Sequence, residues 1–170
     1  MNGKLTDWFH TLLGVRQGDS VSPTLFNIFI NDLAVCIKQL NLGVSIGTEK
    51  VSILMYADDV VILAENEKDM QTLLDFVHQW CESWHMKINL KKSKVTHFRK
   101  QGTPRSNKEF KLGDKKLDFV EKYKYLGVIF DEFLNFDLHT QAMADSGRRA
   151  LGAIIAKYKK LNNMGYETFT

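Results

Sequence analysis

Val51-Ser-Ile-Leu-Met-Tyr56, Ala57-Asp58-Asp59 and Val60-Val-Ile-Leu-Ala64 follow one another without a gap. Two apolar runs rich in β-branched residues flank a short polar break. That pattern predicts a β-hairpin with one buried face and a turn at the aspartates. Upstream, Ser22-Pro23 offers a serine N-cap with proline at the first helical position. Phe26, Phe29, Ile30, Leu33, Ile37 and Leu40 then recur at helical spacing, and Gly43 supplies a stop. Downstream, Asn66 can cap a second helix whose apolar positions are Met70, Leu73, Leu74, Val77, Cys81 and Trp84. Short strands are expected at 86–89, 94–99, 110–112, 115–120 and 125–130, with a polar loop at 101–107. A helical pattern returns over 140–161. This order predicts an α+β fold, with helices packed on one face of a mostly antiparallel sheet.

The composition agrees with a folded protein. The chain has 170 residues, 44% of them hydrophobic and 25% charged. These values exclude wholesale disorder, a collagen-like fibre and a disulfide scaffold. No apolar run approaches the roughly 18 residues that span a bilayer, so no membrane partner is expected. The opening residues show no basic-then-apolar signal segment. Cys36 and Cys81 sit in helix-like apolar stretches and read as reduced core residues of an intracellular protein. The net charge of +3 conceals an asymmetry. Thirteen Lys and Arg stand against four Asp and Glu between Lys87 and Lys124. A basic stretch beside an acidic body points to a polyanion partner, or else to a solvated lysine-rich loop.

Four segments can carry chemistry, each with a plainer alternative. Two adjacent carboxylates, Asp58 and Asp59, at the end of an apolar hairpin are costly unless solvated or neutralised by a cation. Magnesium prefers such oxygen ligands; an exposed turn also tolerates aspartate. Gly14-Val-Arg-Gln-Gly-Asp-Ser20 could bring backbone amides and the Arg16 and Gln17 donors close to a phosphate or base. A tight turn with a solvated Arg16 is the alternative. A lysine of Asn89-Leu-Lys-Lys-Ser-Lys94 could meet a phosphate or donate a proton, or the segment is a lysine-rich turn. Tyr123-Lys-Tyr-Leu-Gly127 interleaves aromatics and lysines as nucleic-acid contacts do, and equally as a strand does.

The order of these segments is more specific than any one of them. Gly14–Pro23 with Leu25-Phe-Asn27, then Tyr56-Ala-Asp-Asp59, then Asn89-x-x-Lys92-Ser93, then Tyr125-Leu-Gly127 resembles the reverse transcriptase family. The likeness is to the enzymes of non-LTR (LINE-type) retrotransposons, whose palm motifs B, C, D and E these segments match in order. It covers about Asn2 to Phe130 and continues more weakly into 140–170. The resemblance implies a right-hand polymerase palm over 1–135 and the start of a thumb or connection over 136–170. It makes Asp58 and Asp59 the metal-binding catalytic acids, for magnesium or manganese. It sets Tyr56 and Ala57 near the primer end and incoming nucleotide. Arg16, Gln17 and Gly18 fall beside the template base and nucleotide. Lys92 falls near the pyrophosphate leaving group, and Tyr125, Leu126 and Gly127 form a primer-grip hairpin. Arg148, Arg149, Lys157, Lys159 and Lys160 become candidates for backbone phosphates or for a solvated helix face. RNA template, DNA primer and deoxynucleoside triphosphates are the implied partners.

The sequence also departs from the family's pattern. A further aspartate is expected from motif A, on a strand before motif B. Only thirteen residues precede Gly14, and Asp7 in Thr-Asp-Trp-Phe does not fit that strand. Hence the expectation of a palm fragment without fingers or motif A, inactive by itself. A non-catalytic nucleic-acid-binding or maturase-like remnant, and a poorly folding pseudogene product, are the other readings.

Overall fold

Asp19 sets the start of the first helix, α1 (Ser22–Gln39), in a computed structural model that describes residues 18–160. Its carboxylate accepts the Val21 amide at 3.3 Å and the Ser22 hydroxyl at 3.5 Å. Val21 occupies the N-cap position and Pro23 lies in the first turn. The expected Ser22 cap is therefore corrected: Val21 holds the N-cap position, and Ser22 is already helical, its hydroxyl donating back to Asp19. Ile30, Leu33 and Ile37 make the buried stripe. The helix ends at Asn41, which adopts the left-handed conformation at φ +53° that commonly closes helices. Gly43 has a different task from the predicted stop. At φ +130°, a Cβ on it would stand 2.6 Å from the Val51 carbonyl oxygen.

The chain divides into two compact units. The first comprises 18–88 with Lys111–Lys115, and the second Asn89–Phe110 with 116–160. In the first, β1 (Val44–Ile46) and β2 (Glu49–Val51) form an antiparallel hairpin about Gly47. β3 (Ile53–Tyr56) and β4 (Asp59–Ile62) form the hairpin read from the sequence, in register Ile53↔Ile62 to Tyr56↔Asp59. The Leu63 amide extends the ladder by bonding to the Ser52 carbonyl at 2.9 Å. Asn66 caps α2 (Glu67–Ser83) as expected, accepting the Asp69 amide at 2.9 Å. Glu67 and Asp69 sit in that first turn, where negative charge complements the helix dipole. Leu73, Leu74, Val77, Trp80 and Cys81 are buried. The two helices pack together, α1 also against β3 and α2 against β4. The Trp80 indole N–H donates to Asp32 at 3.0 Å, and Phe29 meets Trp80 and Trp84 with ring centres 5.6 and 5.2 Å apart. β6 (Lys111–Leu112), which pairs with β7 (Lys115–Lys116), docks on α2. There the Gln71 amide accepts the Lys111 N–H at 3.0 Å and donates to its carbonyl at 2.9 Å.

In the second unit, β5 (Lys94–Val95) pairs with β8 (Asp118–Phe119) in parallel. β9 (Lys122–Tyr125) and β10 (Val128–Asp131) form an antiparallel hairpin that leads to α3 (Asp137–Lys160). Phe110 and Leu117 are buried here, and Glu132 is buried among cations. Arg99 lies 3.0 Å and Arg105 2.6 Å from its carboxylate. The Arg99 guanidinium also stacks 4.7 Å from the Phe133 ring centre.

The mixed α+β class holds. The single sheet does not: among the described residues the strands form five separate two-stranded ladders, one of them parallel. Several expected strands also change. Met86 donates its amide to the Cys81 carbonyl at 2.7 Å, and His85 is left-handed at φ +53°, so 86–89 serves the end of α2 rather than a ladder. The 94–99 run contributes only Lys94–Val95. The 115–120 run breaks at Leu117, whose amide bonds to the Phe110 carbonyl at 2.9 Å. The 125–130 strand is a hairpin, bent at Leu126-Gly127. Among the described residues, no helix is long and apolar enough to cross a membrane.

Candidate active site

The aspartate pair crowns the β3–β4 hairpin. Tyr56 pairs with Asp59, so Ala57 and Asp58 form a two-residue turn. Ala57 lies at φ +51°, a region that costs a residue with a Cβ about 1–2 kcal/mol. Such strain persists only where the surroundings impose it, and it gathers at functional sites. The base of the hairpin is anchored by buried Ser52 and Ile53. Beyond β4, the Glu65 carboxylate accepts the Ser45 amide at 2.7 Å, and this bond holds the Glu65 carboxyl below its usual range. Asn66 then starts α2. The tip therefore projects from a fixed base. Tyr56, Ala57, Asp58 and Asp59 are all exposed there.

Neither the Asp58 nor the Asp59 carboxylate has a hydrogen-bonding or ion-pair partner among the described residues. Two unpaired, solvated carboxylates are donors of the kind that hard divalent cations take. No group of three or more His, Cys, Asp or Glu side chains able to hold a metal occurs among the described residues. The two aspartates therefore fit such an ion in donor type and fall short in donor number.

The expected motif B residues Arg16 and Gln17 lie outside the described residues. Gly18 is exposed at φ +86°, with nothing within 4 Å of a Cβ built on it. Its left-handed backbone suits glycine, and it leads to the Asp19 turn that opens α1.

Lys92 and the Tyr125-Leu-Gly127 turn belong to the second unit. Asn89 builds the lysine turn. Its carbonyl accepts the Lys92 and Ser93 amides, both at 3.0 Å, and the Ser93 hydroxyl at 3.0 Å. Its side-chain oxygen accepts the Lys92 amide at 3.4 Å. The Lys92 ammonium is exposed and has no partner among the described residues. In the β9–β10 hairpin, Tyr125 pairs with Val128, leaving Leu126 and Gly127 at φ +46° and +88°. Two left-handed residues match the twist of a two-residue hairpin. Glycine is the expected occupant of such a position and leucine is not, yet Leu126 is 51% exposed there. On α3, Arg148 pairs with Asp145 at 2.7 Å and Arg149 donates to the Ser146 hydroxyl at 2.8 Å, while Lys157 points to solvent.

One contact escaped the sequence reading. The Tyr123 hydroxyl donates to the Lys92 carbonyl at 2.9 Å, across 31 residues of sequence. It joins two of the expected functional segments. The alternation in Lys122-Tyr-Lys-Tyr125 signals a two-faced strand, but nothing in it says what the tyrosine face meets. The Arg99–Glu132–Arg105 cluster escaped for the same reason.

Residues 1–130 match the sequence profile of a family described as Reverse transcriptase (RNA-dependent DNA polymerase). The RNA-directed DNA polymerase from mobile element jockey of Drosophila melanogaster is 31% identical over 133 residues, which cover 74% of this chain and 14% of that protein. The corresponding jockey polymerase of Drosophila funebris is 30% identical over 141 residues, covering 79% of this chain and 15% of its own length. The Retrovirus-related Pol polyprotein from type-1 retrotransposable element R2 of Nasonia vitripennis is 28% identical over 134 residues, covering 74% and 13%. The chain thus spans 13–15% of the length of these relatives.

Proposed function

The chain belongs to the reverse transcriptase (RNA-dependent DNA polymerase) family, among the enzymes of non-LTR retrotransposons, and from that premise we propose that it forms part of a polymerase palm that copies RNA into DNA. One observation carries the reading: the Asp58-Asp59 pair stands unpaired at the strained tip of a hairpin inside the family match. In the reaction, the primer 3′-hydroxyl oxygen, giving up its proton to solvent water, attacks the α-phosphorus of a deoxynucleoside triphosphate. The bond to the β-phosphate bridging oxygen breaks, and pyrophosphate leaves with that electron pair.

Asp58 and Asp59 would hold magnesium or manganese, completed by a carboxylate from outside the described residues. Held there, such an ion would supply electrostatic stabilisation of the charge that develops during phosphoryl transfer. Tyr56 and Ala57, beside the acids, flank the primer end and the nucleotide. Arg16, Gln17 and Gly18 are the candidates for contact with the template base and nucleotide. The exposed Lys92 ammonium neutralises, or protonates, the leaving pyrophosphate. The Tyr125-Leu-Gly127 turn holds the primer strand, and α3 opens the thumb.

RNA-templated primer extension tests this reading. A protein containing this chain, given an RNA template, a DNA primer, all four deoxynucleotides and magnesium, should make complementary DNA. Removing magnesium should stop it. Extension that ignores template sequence or proceeds with a chelator present would overturn the proposal.

A further inference from the structure

The Lys92 turn and the β9–β10 hairpin are parts of one hydrogen-bonded frame within the second unit. Tyr123 and Tyr125 alternate with Lys122 and Lys124 along β9, so the tyrosines share one face of the strand. On that face the Tyr123 hydroxyl donates to the Lys92 carbonyl at 2.9 Å. Two residues beyond Lys92, β5 pairs with β8 in register Lys94↔Asp118 and Val95↔Phe119. The Lys94 ammonium lies 2.7 Å from the Asp118 carboxylate, and Val120 donates to the Val95 carbonyl at 2.9 Å. The base of the hairpin is closed by Glu132 N–H to the Glu121 carbonyl at 2.8 Å. A shift of β9 therefore pulls on the Lys92 turn through the Tyr123 phenol, at a turn that Asn89 closes through its own carbonyl and side-chain oxygens.

We propose that Tyr123 is a positioning residue, whose hydroxyl couples the strand held at the β9–β10 hairpin to the placement of the Lys92 ammonium. The inference rests on the polymerase reading for the roles of Lys92 and the hairpin. It adds the link between them: primer seated on the hairpin fixes the cation that meets the leaving group. Phenylalanine at 123 keeps the ring and removes only the donor.

Two measurements on the whole chain test it, comparing Tyr123→Phe with the parent. The first is amide hydrogen exchange. Loss of one hydrogen bond should speed exchange of the Lys92 and Ser93 amides by about fivefold and leave the α2 core amides unchanged. The second is trace acetylation of Lys92, normalised to Lys38 on α1, with and without an RNA-template/DNA-primer duplex. Duplex should change Lys92 labelling in the parent. In Tyr123→Phe the duplex should bind with the same affinity and leave Lys92 labelling unchanged. An identical duplex response in the variant would mean direct shielding and would overturn the coupling. Unaltered exchange at Lys92 and Ser93 would overturn it whether or not duplex binds. Faster exchange with no duplex binding to either protein would keep the clamp and reject the polymerase reading behind it.

Discussion

Gly43 and Ser52 show how single residues support the aspartate hairpin. Gly43 has no room for a side chain, because the Val51 carbonyl passes 2.6 Å from the position of its missing Cβ. Gly43→Ala should destabilise the first unit by about 1–3 kcal/mol, read as a lowered midpoint in chemical denaturation. Ser52 is the opposite case. Its hydroxyl is buried and has no hydrogen-bond partner among the described residues. An unsatisfied buried hydroxyl costs about 1–3 kcal/mol. Ser52→Ala should therefore raise stability by about 1 kcal/mol, a gain that a loss of stability in the same assay would refute. Neither effect was legible in the sequence. Gly43 read as a helix stop, a role that Asn41 fills, and Ser52 read as one more residue of an apolar strand.

At the scale of elements, the readable parts were those governed by local chemistry. The Asn66 cap, the α2 stripe and the β3–β4 turn depend on residues within a few positions of one another; the cap and the turn are where the sequence placed them, and the stripe keeps Leu73, Leu74, Val77 and Cys81 but buries Trp80 where Trp84 was expected. The strand at 86–89 failed because the Met86 amide bonds back to Cys81, and the 115–120 run splits into β7 and β8 because the Leu117 amide bonds to Phe110. Pattern alone cannot choose between such partners and a ladder. Lateral joining of hairpins is likewise invisible to alternation, which marks a paired strand without naming its neighbour.

The β9–β10 turn gives an element-scale prediction. Asn-Gly suits two successive left-handed residues, whereas leucine at φ +46° is strained. Leu126→Asn should stabilise the hairpin by about 1 kcal/mol while weakening primer-template binding, if the exposed leucine is kept for contact. Higher thermal stability with unchanged duplex affinity would assign Leu126 no role in the grip.

Across the whole molecule, charge is the quantity that changes most with conditions. Glu132 is buried, and hydrogen bonds from Arg105 and then Arg99 hold its carboxyl below the usual carboxylate range. A depressed carboxyl contributes stability that is fully present above its unfolded value, near pH 4.3 by the usual glutamate figure of about 4.3. That contribution should fade as pH falls through the lower folded value. Unfolding midpoints measured from pH 6 downward should therefore drop more for the parent than for Glu132→Gln, which has no such proton to bind. Parallel curves would contradict the assignment. Asp118, lowered first by its hydrogen bond from Lys94, is exposed at the surface, so Asp118→Asn should change little. The basic excess between Lys87 and Lys124 was plain in the sequence, but its internal neutralisation was not: Arg99, Arg105 and Lys94 are tied to acids, while Lys92 is left unpaired among the described residues.

The central claim is that the unpaired carboxylates at the β3–β4 tip carry out phosphoryl transfer. Single-nucleotide incorporation on an RNA template, in a protein containing this chain and its Asp58→Asn variant, tests it most directly. Asn keeps the size and polarity of the turn residue and removes its charge. The account predicts a fall of at least about a thousandfold in the magnesium-dependent rate, with primer-template affinity preserved. A variant that extends the primer at the parental rate would contradict it.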